Sequence, residues 1–374
     1  MTALLRRLLP PSVRHAIMRL GRRFWLFVCR HLPLRTRVLF YTIRADDRLL
    51  ENAQAVYDLV DGKKVIFAHK LPHSIRQNVL ACYYLLTSRV IVTDDYVRYL
   101  RLFRLRKGQR LLQIWHACGA FKKFALDAPS LLTPAQERAT HAQYTAVAVT
   151  AEACRAPYAG AFGIPVERCL PIGLPRTDRL LTERDALCTA FRQKYPQLAG
   201  RTLYLFCPTF RERDGARVEY DPGIDWQALS KALRPEELLI VCRHPLMTEP
   251  LLDGKYPNLI DLTREPTSVL LAACDVLITD YSSVFYDACL LDVPTVFYCP
   301  DLADYARGFY LRFPEDLPGP METAPDALLP TLRQTKSDPP KERIAAFRAA
   351  WLSACDGHAA ERAADLVRAW MAGE

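Results

Sequence analysis

The stretch DVLITDYSSVFYDACLLDVPTVFY occupies residues 275–298 and has the pattern of a strand, a helix and a second strand. The first strand ends at Asp280, and Tyr281, Ser282 and Ser283 then open the helix. Hydroxyls and unpaired backbone N–H groups at a helix start suit a phosphate group. The same serines can equally serve as ordinary helix caps. The stretch therefore predicts a parallel β-α-β unit and leaves phosphate binding and capping open.

Similar units lie on both sides of this stretch. Short runs rich in β-branched and aromatic residues alternate with helical patterns, which is typical of parallel sheets. Because 374 residues exceed one ordinary core, we expect an α/β protein with two Rossmann-like domains whose sheets face a central crevice. We place a basic arm at 1–36, the two domains at 37–185 and 186–340, and a helix packing across their junction at 341–374. The predicted strands are VLFYTI 38–43, KVIFAH 64–69, RVIVTD 89–94, LLQIWH 111–116, TAVAVT 145–150, TLYLFCPT 202–209, LLIVCRHP 238–245, LIDLT 259–263, VLITD 276–280 and PTVFYCPD 294–301.

Polar side chains follow two further strands of the second domain. Thr209 and Arg211 belong to CPTFR, and Arg243 and His244 belong to CRHP. Because the carboxyl ends of parallel strands share one edge of a sheet, we expect these groups to lie near Ser282. Arginine offers a planar fork that suits phosphate oxygens. The pattern therefore predicts an anionic ligand that spans these strand ends.

The first domain contributes QIWHACGAFKK, which places His116 at a strand end. Gly119 permits close backbone approach, and Lys122 adds positive charge. A histidine there can take a proton from an attacking hydroxyl, because its pKa lies near neutral pH. A histidine beside a tryptophan can also be a core residue, but the predicted crevice favours catalysis. In the later PRTD stretch, Arg176 and Asp178 could pair, or Asp178 could orient a catalytic group.

Charge is distributed unevenly along the chain. The formal net charge is +9, and residues 1–45 contain ten arginines but no aspartate or glutamate. Apolar residues from Val13 to Val28 recur every three or four positions, which predicts a basic amphipathic helix on an anionic membrane surface. A second basic cluster at 98–110 could extend that surface, although both could be solvated faces over core contacts. Nucleic acid is not expected as a partner, because the charge lacks stacking aromatics and a nucleic-acid motif.

No run of the sequence reaches the roughly 18 apolar residues that a spanning helix requires. The N-terminus does not resemble a cleavable signal, so we expect a protein peripheral to the membrane on its cytoplasmic side. The twelve cysteines form no CxxC pair, which indicates buried thiols in a reducing compartment and no metal site. The sequence carries no signal for oligomeric state.

From about residue 38 to residue 320, the chain resembles the CDP-glycerol glycerophosphotransferases of teichoic acid and capsule synthesis. The resemblance implies a GT-B architecture and transfer of glycerol phosphate from CDP-glycerol to a hydroxyl of a lipid-linked or growing glycopolymer, with CMP released. It implies no metal and no other cofactor. The stretches that carry it are QIWHACGAFKKF, PIGLPRTD, CPTFR, RHP, LLAACDVLITDYSSVFYDACLLDVPTVFY and DLADYARGFYLRFPEDLPGP.

The resemblance also implies roles for individual residues. His116 would be the base and His244 would contact the diphosphate, while Asp280 would order the turn that follows its strand. The remaining donor-side residues are Thr209, Arg211, Arg243, Ser282 and Ser283, and the acceptor or phosphate contacts are Gly119, Lys122, Arg176 and Asp178.

One departure from the family pattern affects the acceptor. Members often have threonine and proline before the lysine of a WHG-type motif, whereas this chain reads WHACGAFKK. The identity of the acceptor, the addition of one unit or many, and the choice of CDP-glycerol or CDP-ribitol therefore stay open. A GT-B glycosyltransferase using a nucleotide sugar is the main alternative, and a scaffold without activity is another. The DYSSVFYD helix start disfavours the glycosyltransferase, since such enzymes commonly have a glutamate-containing ribose-binding stretch there.

Overall fold

Two parallel six-stranded sheets, each covered by helices around its own buried core, form the framework of the protein. This arrangement confirms the predicted α/β class with two Rossmann-like domains. The computed structural model describes residues 10–130, 132–213, 216–218, 220–243, 247, 250–252, 254–305 and 307–374.

The first sheet consists of β1 (Arg35–Thr42), β2 (Lys64–Ala68), β3 (Ser88–Thr93), β4 (Arg110–Gln113), β5 (Ala146–Ala148) and β6 (Cys169–Leu170). Its strand order is β2-β1-β3-β4-β5-β6. The central strands are buried on both faces, which explains why they are nearly continuous apolar runs. The helices of this part are α1 (Pro11–His31), α2 (Glu51–Leu59), α3 (Ile75–Thr87), α4 (Pro134–His141) and α5 (Arg155–Phe162).

The second sheet consists of β7 (Thr202–Cys207), β10 (Glu237–Val241), β11 (Leu259–Asp261), β12 (Val276–Thr279), β13 (Thr295–Tyr298) and β14 (Met321–Glu322). Its order is β11-β10-β7-β12-β13-β14. Beyond the end of β7, a small antiparallel hairpin is formed by β8 (Arg211–Arg213) and β9 (Ala216–Val218). The helices are α6 (Thr177–Thr182), α7 (Arg184–Lys194), α8 (Trp226–Ala232), α9 (Thr267–Ala273), α10 (Val284–Leu290) and α11 (Pro325–Ser337).

The C-terminal stretch forms two helices, α12 (Lys341–Trp351) and α13 (Ala359–Ala372), where the sequence predicted one. The turn between them contains Gly357 at φ +95°, a backbone conformation that favours glycine. Helix α12 packs on the second domain, with the Phe347 ring 5.5 Å from that of Phe285. Helix α13 returns to the first sheet, where Val367 joins the core around Val38. The first domain is therefore discontinuous in sequence.

The segment that follows His116 crosses from the first domain into the second. The Lys123 N–H donates to the Gly308 carbonyl, and the Tyr310 N–H donates to the Phe121 carbonyl, each at 2.8 Å. The Phe121 side chain is buried in the core of the second domain. The two domains are thus joined by backbone pairing as well as by side-chain contacts.

Candidate active site

Asp280 is the centre of a buried hydrogen-bond cluster at the carboxyl end of the second sheet. One carboxylate oxygen accepts from the backbone N–H of Thr209 at 2.9 Å and from its hydroxyl at 2.6 Å. The same oxygen accepts from the Tyr281 N–H at 2.6 Å. The other oxygen receives Arg211 at 2.8 Å. Asp280 is fully buried, so it fixes the ends of β7 and β12 relative to each other and orders the turn between β12 and α10.

Arg211 is held by two carboxylates, which differs from the predicted open fork for phosphate. Besides Asp280, its guanidinium donates to Asp301 through Nε at 2.5 Å and Nη2 at 3.0 Å. Its carbon centre also lies 3.9 Å from the ring centroid of Tyr220. These contacts occupy most of the donors of the fork. Arg211 therefore orders the wall of the crevice, and its role in direct phosphate binding stays a prediction.

The two serines lie immediately before α10, the helix that begins at Val284. The Ser282 hydroxyl accepts from the Val284 N–H at 3.3 Å, which is a capping interaction. Ser283 occupies the N-cap position without a side-chain cap hydrogen bond among the described residues. Capping therefore explains the hydrogen bond of the Ser282 hydroxyl. Phosphate binding by Ser283 stays a prediction.

Arg243 lies just beyond the end of β10, and its donor-side role stays a prediction. Its Nε is 3.3 Å from a carboxylate oxygen of Asp261, and its backbone N–H donates to the Thr263 hydroxyl at 3.0 Å. His244, the second predicted catalytic residue, lies outside the described residues.

His116 is held in an orientation suited to a general base. Its Nδ1 is 2.9 Å from the Asp94 carbonyl oxygen, which can only accept, so Nδ1 carries the proton and Nε2 has a free lone pair. The ring stacks on Trp115, with centroids 4.4 Å apart. Burial lowers the pKa of His116, against the opposing effect of the Asp95 carboxylate 3.9 Å away. The imidazole is therefore neutral near pH 7, as a base must be before reaction.

Asp94, whose backbone carbonyl holds this histidine, has a fully buried side chain. The guanidinium of Arg44 lies 3.7 Å from its carboxylate. Burial raises the pKa of Asp94 to about 6. Asp94 was not among the predicted site residues, although it is the last residue of the predicted strand RVIVTD 89–94.

Arg176 and Asp178 do not pair with each other, so one of the two predicted alternatives is wrong. Arg176 reaches across the junction to Asp287 in α10, with Nη1 and Oδ2 2.9 Å apart. The Asp178 carboxylate accepts from the backbone N–H groups of Ala359 and Ala360 at 3.0 and 2.7 Å. These groups open α13, so Asp178 stabilises a helix start in the first domain. Its role beside a catalytic group or phosphate stays a prediction.

Gly119 and Lys122 lie on the segment that crosses into the second domain. Gly119 has φ +65°, and a Cβ atom built on it would lie 2.0 Å from the ring of Tyr286 in α10. Glycine is therefore required by close approach as well as by backbone conformation. The Lys122 ammonium lies 5.8 Å from the ring centroid of Tyr305. Helix α10 therefore lies where the two domains meet at the site. The two serines precede it, and Gly119 and Arg176 of the first domain contact it.

In the part of the chain that the structure describes, no group of three or more His, Cys, Asp or Glu side chains is arranged so that it could hold a metal ion. The cysteines are free thiols, and all but the half-buried Cys188 are buried. Burial raises the pKa of most of these thiols, such as Cys29 to about 11 and Cys82 to about 12. They therefore act as small apolar residues of the core.

Two parallel α/β domains, a neutral histidine on the first and a polar cluster at the strand ends of the second together define a GT-B-type transferase. The family model for CDP-glycerol:poly(glycerophosphate) glycerophosphotransferases matches residues 26–369. The chain belongs to this family, which confirms the family predicted from the motifs.

Several curated relatives are enzymes of teichoic acid synthesis. The chain is 34% identical over 301 residues to a teichoic acid ribitol-phosphate primase of Bacillus spizizenii, an alignment that covers 77% of each chain. It is 30% identical to the teichoic acid ribitol-phosphate polymerase TarK of Staphylococcus aureus, covering 89% of this chain and 69% of that one. It is also 30% identical to a teichoic acid glycerol-phosphate primase of Bacillus subtilis, covering 64% of each.

Solved structures share the fold. A variant of the wall teichoic acid polymerase TagF superposes with a TM-score of 0.79 at 20% identity, covering 96% of each chain. A UDP-GlcNAc 2-epimerase from Neisseria meningitidis superposes with a TM-score of 0.61 at 14% identity, covering 89% of this chain and all of that one. Proteins of different chemistry therefore share this architecture. The function must be inferred from the site and the family.

Proposed function

We propose that this chain transfers a polyol phosphate from a CDP-polyol to a hydroxyl of a lipid-linked or growing glycopolymer. Glycerol phosphate is the first choice for the transferred group. The observation that carries the proposal is the His116 imidazole, whose proton is held on Nδ1 by the Asp94 carbonyl at 2.9 Å. The segment after His116 also packs against α10, the helix preceded by Ser282 and Ser283. A base on one domain and a phosphate-binding turn on the other are what this transfer requires.

In the proposed reaction, Nε2 of His116 accepts the proton of the acceptor hydroxyl. The acceptor oxygen attacks the phosphorus that bears the polyol, and the bond from that phosphorus to the CMP oxygen breaks. A phosphodiester forms, CMP leaves, and the proton passes from the imidazolium to solvent. Ser283 and Arg243, with His244, would stabilise the charge on the diphosphate, so fixed positive charge and dipoles perform the electrostatic task without a metal.

The proposed donor is tested by CMP release from CDP-glycerol, CDP-ribitol and a UDP-sugar, each with a bacterial lipid extract, with and without EDTA. We expect CMP from a CDP-polyol, unchanged by EDTA. Release from one CDP-polyol alone identifies the polyol. UDP release would support the glycosyltransferase alternative, and no product from any donor would support the scaffold.

We propose further that α1 binds the cytoplasmic face of an anionic membrane. Its outer face exposes a row of large apolar side chains, with Leu20, Phe24 and Phe27 at 70%, 67% and 60% exposure. The opposite face is fixed to the first domain, where the Trp25 indole N–H donates to the Val79 carbonyl at 2.9 Å. In the described part of the chain, no helix is long and apolar enough to cross a bilayer. Residues 1–9 of the predicted arm lie outside the described residues.

Replacing Leu20, Phe24 and Phe27 together by serine is expected to release the protein from vesicles containing phosphatidylglycerol. Each buried side chain contributes about 1.5–3 kcal/mol to such binding, so the bound fraction should fall at least about tenfold. Sedimentation with vesicles measures this. The matched control is the pair Leu59→Ser and Val166→Ser, which removes isolated exposed apolar residues elsewhere. Equal sedimentation of the triple variant and the wild type would contradict the assignment.

A further inference from the structure

Trp115, the residue before His116, has a backbone conformation that bulky residues rarely adopt. Its φ is +49°, in the left-handed region. That conformation is unfavourable for a residue with a Cβ atom, so surrounding contacts must maintain it. The orientation of the His116 ring follows from this backbone, because the two residues are adjacent and their rings stack.

Two buried side-chain amides hold the backbone of Trp115 from both sides. The Trp115 N–H donates to Oε1 of Gln113 at 2.9 Å. The Trp115 carbonyl accepts from Nδ2 of Asn52 at 3.0 Å. Gln113 is fully buried and Asn52 is 2% exposed, so water does not compete for these bonds.

The amide of Asn52 has a second partner on the other side of the site. Its Oδ1 accepts from the Arg176 N–H at 2.8 Å. A carbonyl can only accept and an N–H can only donate, so the two partners define which end of the Asn52 amide is oxygen. The guanidinium of the same Arg176 binds Asp287 in α10. Asn52 therefore connects the backbone that bears the proposed base to the residue that contacts the donor-domain helix.

We infer that Asn52 is a positioning residue, which sets the His116 ring relative to α10 without touching either substrate. The inference rests on the proposed function for its effect on turnover. The position of the His116 imidazole that Asn52 sets does not depend on that function. A purely structural amide would affect stability and every step alike, whereas a positioning residue affects the proton-transfer step selectively.

The variant Asn52→Asp tests the inference with almost no change in shape. A carboxylate can still accept from the Arg176 N–H, but it cannot donate to the Trp115 carbonyl and places oxygen against oxygen. We expect kcat to fall about 100-fold, the scale of a misplacement near 1 Å, while the affinity for CDP-glycerol is unchanged. The control is Gln54→Glu, the same chemical change on the same helix, where the amide donates to Asp58 at 2.7 Å.

A second measurement monitors the titration of the His116 imidazole. NMR titration of His116 should show a higher pKa in the uncharged variant Asn52→Ala than in the wild type, because the displaced ring loses burial, the main cause of its lowered pKa. This readout remains available if the wild type releases no CMP, an outcome that would contradict the proposed function alone. Unchanged kcat and an unchanged His116 titration would overturn the inference. A fall in kcat matched by equal loss of donor affinity would also overturn it.

If Asn52→Asp does not fold, Asn52→Ala replaces it. Removing the amide leaves space for a water molecule between the Trp115 carbonyl and the Arg176 N–H. We expect a smaller loss of kcat, again with donor affinity retained, and wild-type kcat in this variant would overturn the inference.

Discussion

Replacing His116 by asparagine is expected to lower CMP release by about 10²–10⁴-fold while leaving CDP-glycerol binding nearly intact. Asparagine is of similar size and can still donate to the Asp94 carbonyl, but it has no lone pair basic enough to take the acceptor proton. The interaction that is lost therefore belongs to the transition state and not to donor binding. Steady-state kinetics give the first quantity and isothermal titration calorimetry gives the second.

The matched control is His358→Asn, which changes an exposed histidine paired with Glu361 on the C-terminal part of the chain. Its turnover should equal that of the wild type. The wild type should also keep its activity below the ordinary histidine pKa near 6.5, because burial lowers the pKa of His116 and the base stays neutral to lower pH. Wild-type turnover in His116→Asn would remove this residue from the mechanism.

Gly119→Ala is expected to cause a large loss of stability at the domain junction. The new Cβ would lie 2.0 Å from Cε1 of Tyr286, a side chain that is itself fully buried. Overpacking of this kind costs about 1–3 kcal/mol, and the left-handed backbone adds roughly 1–2 kcal/mol. Urea unfolding should show the lower free energy of unfolding, and turnover should fall because His116 and α10 are pushed apart.

Gly62→Ala separates the two contributions. Gly62 has φ +85° but no atom within 4 Å of its built Cβ, so only the backbone cost remains. Gly119→Ala should therefore lose more stability than Gly62→Ala by the overpacking cost alone. If both variants lose the same amount and both keep full turnover, the contact with Tyr286 does not hold the junction.

The strands were predicted well because both sheets are parallel and buried. Each of the ten predicted runs overlaps an observed strand, since strands covered on both faces must be apolar throughout. The errors concern short or interrupted elements. Strand β6, which has only two residues, was not among the predicted strands, and β4 ends at Gln113, short of the predicted end at His116. There the backbone turns into the left-handed conformation of Trp115, which side-chain patterns do not encode.

The candidate site shows what strand-end patterns can and cannot predict. Thr209, Arg211 and Asp280 come together as expected, because parallel strands end at one edge. Their hydrogen-bond partners were not predictable, since Asp301 binds Arg211 from 90 residues away. Asn52 gave no signal at all, because it lies within a helix and acts only through backbone groups of distant segments.

The return of α13 to the first sheet has a consequence for synthesis on the ribosome. The N-terminal sheet emerges first, yet one of its faces is covered by a helix that is translated only after the whole second domain. The second domain can complete its core while the first still exposes apolar surface around β1 and β3, and domains generally fold as units during translation. The nascent first domain should therefore be the part that chaperones bind, until residues 359–372 leave the exit tunnel.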